Sequence, residues 1–330
     1  MIKRTIEKSM QGELLTKKEI RSLFKVPLYS KDSLLVLWAA RKKSMQASKE
    51  VAEVHAQIGL NIAPCPKNCQ FCSFAADNKV FKDSYELPVD EAILQAKQFE
   101  ADQANAIYLM TTANFPFDRF IQTSKEIRHA LKPTTVLIAN IGDFTAEQTQ
   151  ELKQVGFSGI YHAVRLGEGT QTKIPVEKRL ETMTHAREAG LGIGTCLEPV
   201  GPEHCIDELV EKTIITRDIH PVYSGAARRI PIPHTTLGSH GIVSEAAMAQ
   251  ILAVVRLALG DEVPGNCTHE PNVLGAFAGA NLLWAEVGSN PRDTIENTER
   301  KRGMSVADCI RVFHEAGWKV QKGPSTFYST

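Results

Sequence analysis

Short apolar segments of β-type composition alternate with amphipathic helical segments along most of the chain. The predicted strands are 57–62, 106–110, 135–141, 159–165, 192–199, 227–233, 262–267 and 282–287. The predicted helices between them are 89–103, 118–131, 145–155, 176–189, 206–217 and 244–259. Eight β/α units favour a parallel (β/α)8 barrel of the TIM type, in which active sites lie at the carboxyl ends of the strands. A doubly wound open sheet is the structural alternative.

The segments outside the strand–helix alternation suggest a three-part organisation. Residues 1–50 are expected to form an N-terminal helical segment, which includes a capping box from Thr16 to Glu19. Residues 51–290 are expected to form the barrel. Residues 291–330 are expected to form a C-terminal tail that packs on the barrel and contains one more helix, 305–316.

Charge and cysteine content narrow the classes of function. Lys plus Arg and Asp plus Glu both number 38, so the formal charge is zero and nothing indicates a nucleic-acid or membrane partner. The first ten residues lack the apolar core of a secretory signal, and no apolar run approaches the roughly 20 residues of a membrane span. We therefore expect a cytoplasmic protein whose seven cysteines are ligands or core thiols rather than disulfides.

Three of the cysteines are closely spaced directly after the first predicted strand. Cys65, Cys69 and Cys72 have the spacing C-x3-C-x2-C, with the aromatic Phe71 before the last one. Three thiolates can bind three irons of a [4Fe–4S] cluster and leave the fourth iron open to chelate S-adenosylmethionine (SAM). An electron from the cluster would then release a 5′-deoxyadenosyl radical. Structural zinc is the alternative, but it normally needs four ligands in paired clusters.

Four stretches in the same order resemble biotin synthases and the wider radical SAM superfamily. They are the N-terminal segment 15–28, the cradle APCPKNCQFC at 63–72, the helix EKRLETMTHAREAG at 177–190 and AGAN at 278–281. The resemblance implies a (β/α)8 barrel, a [4Fe–4S] cluster, SAM and a homodimer. It also implies conversion of dethiobiotin to biotin by sulfur insertion, with flavodoxin or ferredoxin as electron donor and a second iron–sulfur cluster as sulfur donor.

The sequence departs from the biotin synthase pattern at the second cluster. That family binds a [2Fe–2S] cluster through three cysteines on the second, third and fifth strand regions and a late arginine, and only Cys196 matches one of these positions. Cys196, Cys205 and Cys267 are our candidates for the catalytic ligands of a replacement cluster of [4Fe–5S] type. The alternative is three unconnected core residues, as we expect for Cys309.

Polar residues at predicted strand ends are the remaining site candidates. Thr111, Thr112 and Asn114 follow the second strand and are candidates for binding SAM, and so are Tyr161, Arg165 and Glu168 at the fourth. Arg165 suits a carboxylate, and Glu168 suits ribose hydroxyls. Alternation along a strand suggests that only one of Arg228 and Arg229 enters the barrel, and Arg228 is our catalytic candidate. His269 is expected to be a solvated loop residue.

Two other functions remain open from the sequence. One is a radical SAM mutase or maturase of the same branch, resembling methylornithine synthases or hydrogenase maturases, which would need no sulfur-donating cluster. The other is a structural metal-binding protein without catalytic activity.

Overall fold

The computed structural model describes residues 1–328, and its centre is a closed barrel of parallel strands. Within those residues the barrel strands are β1 (Val51–Gly59), β2 (Ala106–Met110), β3 (Val136–Asn140), β4 (Phe157–Tyr161), β5 (Gly192–Gly194), β6 (Tyr223–Arg228), β7 (Gly265–His269) and β8 (Leu282–Gly288). Neighbours along the chain pair in parallel from β1 to β8, and β8 pairs with β1 to close the ring. The predicted TIM-type fold is confirmed.

The helices lie where the sequence predicted them, with the short helix Val273–Phe277 as an addition that it did not predict. They are α1 (Ile2–Met10), α2 (Lys17–Phe24), α3 (Lys31–Ala47), α4 (Val89–Ala101), α5 (Phe117–Ala130), α6 (Ala146–Val155), α7 (Val176–Glu188), α8 (Ile206–Asp218), α9 (Glu245–Ala258), α10 (Val273–Phe277) and α11 (Val306–Glu315). The capping box of α2 forms as predicted, since Thr16 accepts from the backbone of Glu19 and Glu19 accepts in return. Among residues 1–328, none of these helices is long and apolar enough to cross a bilayer.

Two strands lie before their predicted positions. β1 is Val51–Gly59, whereas the sequence predicted 57–62. The other is the sixth strand, which begins four residues early. The sequence predicted 227–233, but β6 is Tyr223–Arg228 and pairs with β7 from Tyr223↔Gly265 to Ala227↔His269. Pro231 and Pro233 cannot donate to a ladder, which explains why the predicted second half of the strand is lost. The observed strand contains Ser224, Gly225, Ala226 and Ala227, which have weak strand propensity. Its register is therefore decided by pairing with β5 and β7.

Alternation along β2 shows how the strands divide the core. Ile107 and Leu109 point outward into the main hydrophobic cluster beneath the helices. Tyr108 joins the aromatic cluster inside the barrel, together with Tyr223 and Trp284. Burying an aliphatic side chain such as Leu109 contributes about 2 kcal/mol, so the outward layer stabilises the ring of helices.

The first three helices cover one side of the barrel. Ile20, Leu23 and Val36 are buried against Val254 and Leu257 of α9. Helix α3 also packs along α9, so the N-terminal segment adds a second layer outside the barrel helices.

The C-terminal segment returns to the amino end of the barrel. Residues Lys319–Val320 pair in parallel with the start of β1. Phe327 and Tyr328 are buried inside the barrel. The last two residues of the predicted tail, 329 and 330, lie outside the described residues.

Candidate active site

The three closely spaced cysteines lie on a loop at the carboxyl end of the barrel. This loop follows β1, and Cys65, Cys69 and Cys72 all line one cavity there. The backbone N–H of Cys65 donates to Phe74 O (2.7 Å), and that of Cys72 donates to Cys69 O (2.9 Å). Asn68 adopts a left-handed φ of 47°, which asparagine tolerates better than most residues. The turns thus direct the three thiols to the same cavity.

Loops from other strands hold the cysteine loop in position. The N–H of Gln70 donates to Gln171 O (2.9 Å), and the N–H of Lys173 donates to Lys67 O (2.9 Å), which ties it to the loop after β4. On the opposite side, the N–H of Ser73 donates to Pro291 O (2.9 Å) beyond β8. The cradle is therefore braced from two sides of the barrel.

The donor set of the cradle fits an iron–sulfur cluster. Burial raises the pKa of the Cys69 thiol to about 11 and that of Cys72 to about 12, so both are neutral unless a cation stabilises their thiolates. Within residues 1–328, no three His, Cys, Asp or Glu side chains converge on one point as ligands of a single ion. A cubane makes no such demand, because each thiolate binds a different iron.

The end of β2 supplies hydroxyl and backbone groups to the cavity. Of the three residues predicted here, Thr111 and Thr112 line the cavity. Asn114 is exposed and is not part of the cavity wall. The Thr112 N–H donates to Asn61 Oδ1 (2.9 Å), and its hydroxyl accepts from Asn61 Nδ2 (2.9 Å). Asn114 points away because the chain turns toward α5 after the second threonine.

The end of β4 places one cation and one phenol in the cavity wall. Tyr161 and Arg165 line it, and Arg165 Nε lies 3.4 Å from Glu198 Oε1. Although burial opposes the charge, Glu198 and Glu168 raise the pKa of Arg165 above its ordinary value. The Tyr161 hydroxyl is buried with no hydrogen-bond partner among the described residues.

Glu168 does not line the cavity. Its carboxylate accepts from the backbone N–H of Arg165 (3.2 Å), from Thr172 (2.6 Å) and from Arg179 Nε (3.3 Å). Glu168 is therefore engaged by three donors away from the cavity wall, and its role at ribose hydroxyls stays a prediction. It shapes the loop that carries Arg165.

Both adjacent arginines at the end of β6 line the cavity, although alternation predicted only one. The strand ends at Arg228, so the two-residue period does not extend to Arg229. Arg229 is buried and pairs through both terminal nitrogens with the carboxylate of Glu203. Arg228 donates to Val243 O (3.3 Å) and to Glu245 (3.3 Å). The Nε atoms of both arginines are buried without a partner among residues 1–328.

His269 is part of the cavity wall rather than a solvated loop residue. Its ring stacks on Trp284 with centroids 4.3 Å apart and an interplanar angle of 13°. Burial, with the nearby Arg292, lowers the pKa of His269 to about 3, so the imidazole is neutral at physiological pH. His269 is the last residue of β7, and a position at the carboxyl end of a barrel strand is the one sequence signal that indicated a place in the cavity.

Sequence reasoning missed other polar residues of the wall. Gln57 accepts from Asn140 Nδ2 (2.8 Å) across β1 and β3. Arg292, in the loop after β8, donates to Glu270 (2.9 Å) and to Glu286 (2.5 Å). All three of Gln57, Asn140 and Arg292 line the cavity. They lie on strands or loops without a recognisable motif.

The structure brings together two of the three cysteines predicted for a second cluster. The sulfurs of Cys196 and Cys267 are 3.2 Å apart, and both side chains are buried in the aromatic cluster beneath the cavity. Cys205 is exposed at the N-terminus of α8 and does not join them. Its position before the helix, rather than on a strand, directs it to the surface. Cys309 is buried in the core on α11.

The sequence is similar to the radical SAM superfamily and to biotin synthases. Residues 63–214 match the model of the radical SAM superfamily. The chain is 26% identical to a biotin synthase from Rippkaea orientalis over 56% of its own length and 54% of that protein, so this match spans about half of the relative. It is 24% identical to a biotin synthase from Granulibacter bethesdensis, over 82% of this chain and 89% of the other.

Solved structures share the fold at lower identity. Methylornithine synthase superposes with a TM-score of 0.79 and 16% identity, covering 98% of both chains. The FeFe-hydrogenase maturase HydG from Carboxydothermus hydrogenoformans superposes with a TM-score of 0.76 and 20% identity, covering 99% of this chain and 80% of the other. At these identities the likeness concerns the fold. The cysteine cradle at the mouth of the barrel and the match over residues 63–214, slightly less than half of the chain, together make this chain similar to radical SAM enzymes and to biotin synthases.

Proposed function

We propose that this enzyme converts dethiobiotin to biotin by radical sulfur insertion, as a sulfurtransferase of the biotin synthase type. The observation that carries the proposal is one cavity with the three cradle cysteines on one wall and the adjacent Arg228 and Arg229 on another. Dethiobiotin carries a carboxylate at the end of an alkyl chain, and arginine is the residue best suited to hold a carboxylate. The curated relatives named biotin synthase add support at 23–26% identity.

The chain's own residues would bind and orient the reactants. The thiolates of Cys65, Cys69 and Cys72 would hold a [4Fe–4S] cluster, which supplies the electron for reductive cleavage of SAM. Arg165 would pair with the carboxylate of SAM, because its guanidinium lies in the same cavity and already carries its charge beside Glu198. Thr111, which lines the same cavity as Arg165, offers a hydroxyl to SAM.

Residues deeper in the cavity would orient the substrate. Trp284 and the stacked neutral ring of His269 form a flat wall that excludes water. The unpartnered Tyr161 hydroxyl and the buried Nε2 of His269 can hydrogen-bond to a polar neutral group such as a urea ring. A fixed position matters because hydrogen abstraction requires the reacting atoms to be close and aligned.

The three cysteines predicted to hold a sulfur-donating cluster do not all come together, and this supports a second candidate function. A cluster held by Cys196, Cys205 and Cys267 does not fit, because Cys205 is exposed and the other two sulfurs are packed among aromatic rings. We derive no step through such a cluster. This placement favours the alternative of a radical rearrangement on a small carboxylate substrate, which needs no sulfur donor.

The decisive experiment is anaerobic incubation of the reconstituted enzyme with SAM, reductant and dethiobiotin, followed by mass spectrometry. Sulfur insertion predicts biotin, with 5′-deoxyadenosine released as it forms. Arg228→Met should raise the KM for dethiobiotin about tenfold without changing the KM for SAM, because one charged hydrogen bond is lost. Arg311→Met, at an exposed surface pair, is the matched control. If dethiobiotin neither yields biotin nor stimulates SAM cleavage, sulfur insertion is wrong.

Iron analysis separates the two candidate functions further. In a variant with Cys65, Cys69 and Cys72 all replaced by alanine, sulfur insertion predicts residual iron and sulfide from a second cluster, held by a ligand set other than Cys196, Cys205 and Cys267 together. A rearranging enzyme predicts none. Flavodoxin or ferredoxin as electron donor and a homodimer complete the proposal by analogy with the biotin synthase family.

A further inference from the structure

The bottom layer of the barrel interior is filled in part by Phe327 and Tyr328 of the C-terminal segment. Barrel strands usually fill their interior with their own side chains. Here Gly159 on β4 and Gly192 on β5 leave room for the Tyr328 ring. A Cβ on Gly192 would lie 2.7 Å from Tyr328 Cδ1, and a Cβ on Gly265 of β7 would lie 2.9 Å from Phe327 Cε2. The glycines and the two rings are therefore complementary in shape.

Polar contacts lock the segment onto the amino end of β1. The buried carboxylate of Glu53 accepts from the backbone N–H (2.7 Å) and hydroxyl (2.8 Å) of Thr326. It also accepts from the hydroxyl of Ser325 (2.5 Å) and lies 2.8 Å from His55 Nε2. The N–H of Ser325 donates to Asn105 O (2.7 Å). A carboxylate with this many donors fixes the segment where the two rings enter the barrel.

A hydroxyl cluster connects the inserted segment to the cavity. The hydroxyls of Tyr328 and Tyr108 lie 3.1 Å apart, and the Tyr108 hydroxyl donates to that of Tyr223 (3.1 Å). His55 Nδ1 lies 2.9 Å from the same Tyr108 oxygen. Tyr108 itself lines the cavity, two residues before the end of β2, so its ring belongs to the cavity floor. Tyr108 is therefore the single side chain that separates Tyr328 from the cavity.

We propose that Phe327 and Tyr328 are positioning residues of the active site, which hold Tyr108 in place and so set the floor against which the substrate binds. The strands do not fill the layer below Tyr108 completely, because Gly159, Gly192 and Gly265 leave room there that the two rings occupy. Phe327 and Tyr328 do not line the cavity themselves, whereas the cradle cysteines and Arg165 do. Loss of the two rings should thus affect the substrate end of the cavity and spare SAM. This role for Phe327 and Tyr328 rests on the proposed function in one respect only, which is that dethiobiotin is the substrate used to test it.

The test is a double-mutant cycle in the full-length reconstituted enzyme. Gly192→Ala should push out the Tyr328 ring, Tyr328→Ala should remove it, and the double variant should resemble Tyr328→Ala because the clash is gone. Tyr328→Phe keeps the ring and should restore most of the wild-type behaviour. Tyr29→Ala, at an exposed tyrosine, is the matched control.

Two readouts distinguish positioning from general destabilisation. Hydrogen exchange should increase in the peptide spanning residues 106–110 in Gly192→Ala and Tyr328→Ala, while the cradle loop keeps its protection. The KM for dethiobiotin should rise about tenfold in these variants, with the KM for SAM and the rate of SAM cleavage without substrate unchanged. Unchanged exchange at 106–110 in Tyr328→Ala, or additive effects in the double variant, would overturn the proposal. If wild-type enzyme does not turn over dethiobiotin, the proposed function fails, and the exchange data and the cycle alone decide the role of the segment.

Discussion

The buried carboxylate of Glu286 offers a quantitative test of how the loop after β8 is held. Glu286 lies near the end of β8 and accepts from Arg292 (2.5 Å), Arg302 (2.7 Å) and Asn290 Nδ2 (3.0 Å). Arg292 also lines the cavity, so this carboxylate connects stability to the site. The perturbation is Glu286→Gln, which keeps the shape of the side chain and removes its charge.

The expected cost follows from the pKa of this group. Although burial opposes it, Arg292 and Arg302 lower the pKa of Glu286 from its ordinary 4.5 to about 2. A carboxyl group with that difference between the unfolded and folded chain contributes about 3 kcal/mol at neutral pH. Because the folded pKa is depressed, the contribution is complete above the unfolded pKa of 4.5 and is lost as pH falls through about 2. Glutamine imitates the protonated acid at every pH.

The assay is anaerobic urea denaturation of the reconstituted protein at neutral pH, followed by circular dichroism. Glu286→Gln should lower the free energy of unfolding by about 3 kcal/mol, with an unchanged dependence on urea concentration. Glu181→Gln is the matched control, because its carboxylate pairs with Lys178 on the exposed surface of α7, and its midpoint should equal that of the wild type. A loss below about 1 kcal/mol for Glu286→Gln would refute the reasoning, since such a value is typical of surface pairs.

Three further predictions concern the cavity and the cysteines. Cys72→Ser should lose the iron of the cradle and the cleavage of SAM after reconstitution, whereas Cys205→Ser should keep both; SAM cleavage retained by the former would contradict the cradle. Arg165→Lys should raise the KM for SAM about tenfold, because lysine cannot replace a guanidinium at a carboxylate, and an unchanged KM would remove Arg165 from the SAM site. Iodoacetamide should modify the exposed Cys205 first and spare Cys196 and Cys267 until the protein unfolds, as peptide mass spectrometry would show.

The sequence was sufficient to predict the barrel because its signals are local. Apolar runs of strand length and amphipathic helices recur in β/α order, and β2 lies at its predicted bounds, Ala106–Met110. The cradle was equally accessible, because the cysteine spacing within one loop carries the chemistry. The start of α2 followed from the capping box at Thr16.

The parts that could not be predicted depend on contacts between distant segments. The register of β6 is decided by pairing with β7, so the entry of Arg229 into the cavity was not visible in the alternation of residues. Cys205 precedes a helix and is exposed, although its place in the chain suggested a shared site with Cys196. The filling of the barrel by Tyr328 requires knowledge of where the chain end returns.

The central claim is that Cys65, Cys69 and Cys72 hold the cluster that cleaves SAM. The most direct measurement is 5′-deoxyadenosine formation by the anaerobically reconstituted, dithionite-reduced protein, with iron measured on the same sample. The structure predicts a brown protein with bound iron that releases 5′-deoxyadenosine from SAM, and no release when the three cysteines are replaced by alanine. A colourless protein, or one that leaves SAM intact under these conditions, would contradict the account.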